Sequence, residues 1–190
     1  MIGEILRFLL DIGFTLIGAV LLARAWLHAV KLHPFNPFSQ AVYQATNWLV
    51  GPLRRIVPTG GGTDWASLLG ALLIAIVYLV LLWLVSTVSM LPVKLIPGVV
   101  GAGVATVARW ALNLIVWLTL IQAVLSWINP MATIMPVLRI LTGPLLEPIR
   151  RIMPRLGGFD LSPLVLLILA QIAIMVLDRI TFQLFPLFIL

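Results

Sequence analysis

Cysteine is absent from the 190 residues, which excludes disulfides, iron–sulfur clusters and thiolate metal sites. Charge is scarce as well: 9% of residues are Asp, Glu, Lys or Arg, against roughly a quarter in an ordinary soluble domain. Histidine occurs only at His28 and His33. Their spacing of five misses the i,i+4 separation of two ligands on one helical face, and no acidic cluster adjoins them, so no metal is expected. Gly98, Gly101 and Gly103 lie in no strand–turn–helix context that would make a dinucleotide fingerprint. Ser86, Ser89, Ser126 and Ser162 have no arrangement of His and acid around them. Neither an enzyme nor a cofactor is expected. What fills the chain is apolar: 62% of residues, with a mean hydropathy of +1.18. A soluble fold this small exposes too much of its surface to hide that content, so the natural solvent is a bilayer. The net charge of +6 then reads as topology and lipid contact, and no nucleic-acid partner is expected.

A helix needs about 20 apolar residues to span a bilayer. Four runs qualify: about Leu6 to Trp26, Trp65 to Leu91, Val104 to Ile128, and Pro163 to Phe185. Pro92 stops the second, and Asn129-Pro130 stops the third because proline disfavours helix in the residue before it. Ser162-Pro163 reads as an N-cap followed by proline at the first helical position. A cleaved signal peptide is a weaker reading of the first run, which is long, carries Asp11 and ends on Trp26-Leu27-His28. Lys31, Arg54 and Arg55 follow span one, and Arg139, Arg150, Arg151 and Arg155 follow span three. Only Lys94 lies between spans two and three. The positive-inside rule therefore puts the arginine-rich loops in the cytoplasm and both termini outside. Trp26, Trp65 and Trp127 fall at the cytoplasmic boundary as aromatic anchors.

The chain repeats itself. Gly51-Pro52-Leu53-Arg54-Arg55-Ile56-Val57-Pro58, running on to Asp64, aligns without gaps to Glu147-Pro148-Ile149-Arg150-Arg151-Ile152-Met153-Pro154, running on to Asp160. Thr46 matches Thr142, and Asn36-Pro37 resembles Asn129-Pro130. Leu49, Val50, Leu53, Ile56 and Val57 recur at helical spacing, as do Leu145, Leu146, Ile149, Ile152 and Met153, with the paired arginines off the stripe. Such a helix lies in the membrane interface, arginines toward anionic headgroups at the cytoplasmic face. Pro58 and Pro154 end it, glycines permit the turn, and Asp64 or Asp160 caps the returning helix. The expected fold is all-α: four transmembrane helices as two parallel-repeat hairpins, each with an interfacial helix in its cytoplasmic loop. The first unit covers residues 1–93 with its interfacial helix at about 46–57, and the second covers 94–190 with its helix at about 142–153.

Three motifs now become specific: Ser126-Trp127-Ile128-Asn129-Pro130, Leu141-Thr142-Gly143-Pro144 through Pro154, and Gly158-Phe159-Asp160-Leu161-Ser162-Pro163. They resemble the YggT family of bacterial inner-membrane proteins, whose plastid and cyanobacterial relatives are called YlmG. The resemblance covers nearly the whole chain as two copies. The first copy departs from it, with Gly51 for Glu147 and Ala66-Ser67 for Ser162-Pro163. The resemblance implies an integral membrane protein without an established reaction. It links bacterial members to osmotic-stress tolerance and potassium uptake, and other lineages to cell division or plastid membrane and nucleoid organisation.

Ionisable groups inside spans are costly and so are functional candidates. Asp11, Arg109, Asp178 and Arg179 qualify. Asp11, Asn113, Gln171 and Asp178 could supply oxygens to a cation or a proton relay, with Arg109 as counter-charge. The plainer reading pairs Asp11 with Arg7 and Asp178 with Arg109 to fix helix register, and lets Arg7 and Arg179 snorkel to headgroups. Arg54, Arg55, Arg150 and Arg151 either hold lipid headgroups or dock a partner, and Glu147 can pair along its helix with Arg150 or Arg151. Three functions fit these features. The first is an accessory or scaffold factor in osmotic and ion homeostasis. The others are a small channel or proton-coupled transporter, and a division or membrane-organising scaffold. So thin a bundle leaves room for a homo-oligomer or a larger complex.

Overall fold

A computed structural model describes residues 2–32, 36–57, 62–87, 92–152 and 160–185. Among them the chain is all-helical, with six α-helices and no strand. These are α1 (Ile2–Ala29), α2 (Pro37–Ile56), α3 (Trp65–Thr87), α4 (Ile96–Ile128), α5 (Met135–Ile152) and α6 (Ser162–Leu184). A 3-10 turn, Val93–Leu95, leads into α4. α1, α3, α4 and α6 are long and apolar enough to cross a membrane, and the chain is a multi-pass membrane protein. The order long, short, long occurs twice.

Each long pair packs on itself, α1 with α3 and α4 with α6. α3 and α1 both reach across to α4, and this joins the halves. At that joint Gly18 is indispensable: a Cβ there would drive into the ring of Trp110, which is itself buried among Leu21, Ala71, Ile74 and Ala75. α2 packs on α1 and α3, and α5 on α4 and α6, at the same end of the bundle. Their inner faces share a core of Val42, Val137 and Leu141 with Leu27 of α1. The Trp26 indole donates to Leu141 O at 3.1 Å, so this end too is tied across the halves.

Several helices exceed the lengths read from sequence. α4 starts at Ile96, not near Val104, because Pro97 sits in its first turn, where proline costs no hydrogen bond. Its glycines serve close approach: Gly103 faces Ile76 and Leu72, and Gly101 lies under Phe185. α2 starts at Pro37, where Asn36 accepts from Phe38 N at 2.9 Å as N-cap, and α5 starts at Met135. Asn36 and Asn129 therefore play opposite parts, since Asn129 closes α4 through its N–H to Leu125 O at 2.9 Å. Pro52, Pro144 and Pro148 stand inside their short helices rather than ending them. Pro58, Pro154, Arg155 and His33 lie outside the described residues.

Candidate functional site

Arg24 is the one Asp, Glu, Lys or Arg in the C-terminal half of α1, and it is 1% exposed. A guanidinium buried in an apolar bundle must find acceptors or be expelled. α2 supplies them. Arg24 Nη1 donates to Thr46 Oγ1 at 2.8 Å, to Asn47 Oδ1 at 3.1 Å and to Tyr43 O at 3.4 Å, and its Cζ lies 4.8 Å above the Tyr43 ring. Its Nε stands 3.6 Å from Asp64 Oδ2. Asp64, fully buried, takes a shorter bond from Arg54 Nη2 at 2.7 Å and accepts from Ser67 Oγ at 2.8 Å and Ser67 N at 3.3 Å. One carboxylate thus anchors the first turn of α3, the end of α2 and the last turns of α1. Burial alone would raise this carboxyl, but the bonds from Arg54 and Ser67 outweigh it and hold it below the usual carboxylate range. Gly62, at φ 84°, makes the left-handed step that returns the chain to Asp64.

The second half repeats the outline with weaker parts. Arg150 reaches Asp160 Oδ2 from Nε at 2.8 Å and Nη2 at 2.7 Å. Asp160 accepts from Ser162 N at 3.0 Å, so the aspartate, not Ser162, is the acceptor that caps α6. Burial again pushes this carboxyl up, and Ser162 and Arg150 together bring it below the usual range. Thr142 donates to Leu138 O at 2.9 Å, as Thr46 donates to Val42 O at 2.7 Å. The side chain that meets Thr142 from α4 is the amide of Gln122, where the first half uses Arg24. The Asp160–Arg150 pair is also open, with side chains 38% and 40% exposed.

At the opposite end of the long helices a cavity of about 870 Å³ opens among α1, α3, α4 and α6. Arg7, Asp11, Arg109, Asn113 and Asp178 all line it, so four members of the predicted polar cluster do meet. Gln171 is absent from its lining and faces outward on α6. Arg109 Nε lies 3.5 Å from Asp178 Oδ1, the pairing that the register reading expects. Asp11 accepts from Tyr78 Oη at 2.9 Å, an α3 partner not foreseen in place of Arg7. Asp178 sits 16 residues into α6, about 24 Å along at 1.5 Å per residue, well past the midpoint of that helix.

The paired arginines separate into two roles. Arg54 and Arg150 are spent on Asp64 and Asp160, while Arg55 and Arg151 face outward. Glu147 Oε1 lies 4.0 Å from Arg151 Nη2, one turn away along α5. Sequence reading missed Arg24, whose signal was a lone cation in an apolar run. It also missed the Arg–Asp bonds, whose signal was the same ten-residue spacing in both copies.

Comparison with known proteins agrees with this duplication. A family model described as CCB3/YggT matches residues 3–85 and again 101–181. An uncharacterized protein in the proC 3' region of Vibrio alginolyticus is 38% identical over 169 residues, covering 88% of this chain and 90% of its own length. The uncharacterized protein YggT of Escherichia coli strain K12 is 38% identical over 168 residues, covering 88% and 86%. An uncharacterized protein of Haemophilus influenzae is 34% identical over 149 residues, covering 78% and 77%. No solved structure matches.

Proposed function

This chain belongs to the CCB3/YggT family, with one family unit in each half, and on that footing we propose that it is a non-enzymatic scaffold of the bacterial inner membrane. Its two units are parallel helical hairpins that hold α2 and α5 flat in the cytoplasmic interface. The observation that carries this reading is the division of labour within each arginine pair. Arg54 and Arg150 are consumed in fixing the short helices to the bundle, and Arg55 and Arg151 are thereby held outward. Exposed Trp48, Ile56 and Ile152 accompany them, which suits an interfacial helix with aromatic and aliphatic groups at headgroup level and cations beside them. The orientation, arginines inside and termini outside, follows the positive-inside rule. A rigid row of this kind offers anionic lipid or an acidic partner a fixed template, the role of an accessory factor in osmotic and ion homeostasis.

Direct ion transport competes with this reading, and the cavity at the other end is where it would have to run. Its Arg109–Asp178 pair cancels the charge that would concentrate an ion there. Complementation of a strain lacking its own copy, grown at high osmolarity and low potassium, tests the scaffold. Arg55→Ala with Arg151→Ala is expected to abolish rescue at normal protein level. Full rescue by that double variant, or potassium flux through purified protein in vesicles, would overturn the proposal.

A further inference from the structure

The cavity walled by α1, α3, α4 and α6 has a chemistry of its own. Arg7 and Arg109 provide two cations, and Asp11 and Asp178 provide two anions, all on one lining. A lone cation in this space would meet two guanidiniums, and a lone anion two carboxylates. A dipolar group satisfies both pairs at once, phosphate oxygens against the arginines and an ammonium against the aspartates. Tyr78 fixes Asp11 from the α3 side through its hydroxyl, so that carboxylate is held in place before any ligand arrives. The Arg109–Asp178 contact, 3.5 Å and half-exposed on both sides, is loose enough to open around an incoming group.

Depth and shape point the same way. Asp11 lies about 14 Å from the start of α1, and Asp178 about 9 Å from the end of α6, at 1.5 Å per residue. The charges therefore sit inside the spans but nearer one end than the other, within reach of a headgroup drawn in from that face. Phe8, Leu16 and Trp117 continue the lining and are themselves more than half exposed, so the charged part runs into an apolar, lipid-facing wall. A volume of about 870 Å³ suits a ligand of lipid-headgroup size with the first part of its chains.

We propose that this cavity is a binding site for a zwitterionic phospholipid carrying a free ammonium group, entered sideways from the outer leaflet between α1 and α6. The site lies at the opposite end from Arg55 and Arg151, so lipid binding there is tested apart from the scaffold reading, and only the choice of the outer leaflet rests on the orientation proposed with it. Native mass spectrometry of the full chain in mild detergent tests it, with phosphatidylethanolamine and phosphatidylglycerol of matched acyl chains added as competitors. One phosphatidylethanolamine retained per chain, with a preference of about tenfold, is the expected result. Arg109→Gln combined with Asp178→Asn keeps the net charge and is expected to erase the preference. Ala105→Phe fills the space without touching a charge and is expected to lower retention of both lipids. Equal or better retention of phosphatidylglycerol by the unmodified protein would overturn the proposal whatever the variants do. So would displacement of the lipid by potassium ions at millimolar concentration, which would reassign the cavity to a cation.

Discussion

The two halves use one aspartate at the same place to opposite degrees. Asp64 is fully buried under two arginines, whereas Asp160 holds one arginine and stays open to its surroundings. The difference starts in the preceding long helix, where Arg24 of α1 meets Thr46 and the neutral Gln122 of α4 meets the matching Thr142. A buried cation demands a buried anion, and that demand recruits Asn47, Tyr43 and Thr46 around it. A neutral amide makes no such demand, so Asp160 is left to cap its helix at the surface. The same backbone plan thus carries a buried electrostatic joint in one copy and an exposed cap braced by one arginine in the other.

Truncating the aspartates should split the halves most widely. Asp64→Ala leaves Arg24 buried without its carboxylate and should cost about 3–5 kcal/mol. Asp160→Ala, whose pair is well exposed, should cost about 1 kcal/mol or less after solvent screening. Thermal unfolding of both variants in one detergent measures the gap, and equal losses would dissolve the contrast. Acid should expose it next. Both carboxyls are held below the usual range, so below about pH 4 the unfolded chain takes up protons that the folded chain refuses. Stability due to Asp64 is complete above that pH and drains away as pH falls through its folded value. Asp64→Asn should flatten the acid limb of a stability–pH curve, and Asp160→Asn should flatten it only slightly.

Arg24→Gln makes the first half imitate the second. Asp64 keeps Arg54 and Ser67, so the expected loss is smaller, about 1–3 kcal/mol from acceptors on α2 left unmet. Gly51→Glu carries the imitation into the short helix, giving Arg55 the partner that Arg151 has in Glu147. A Cβ at Gly51 meets nothing within 4 Å. Removing a mid-helix glycine and adding an i,i+4 pair should stabilise by about 1 kcal/mol. A higher melting temperature checks this.

The number of apolar helices was legible because each span is a long run with few charges, and the duplication was legible because Pro, Arg-Arg-Ile and Asp recur in step. Helix starts were less so. Proline at Pro37 and Pro97 looks like a breaker in sequence, yet each sits in a first turn, where its missing N–H has no partner to lose. The charges of the cavity could be read because charges inside apolar runs are conspicuous. Its Tyr78–Asp11 bond could not, because it joins residues 67 apart and depends on how α1 leans on α3. Gln171 failed as a candidate for a related reason: its polarity was visible, but its outward direction on α6 is set by packing.

The contacts of Trp26 with Leu141 and of Gly18 with Trp110 each run from one unit to the other. A chain with a single unit would have to borrow these surfaces from a second molecule, and a symmetric pair would show every change twice. A buried arginine would then bring its twin, and a neutral glutamine likewise. Joining two units in one polypeptide removes that obligation. Selection can then place a costly charge in one copy, relax the other, and keep the ratio of the two fixed at one to one.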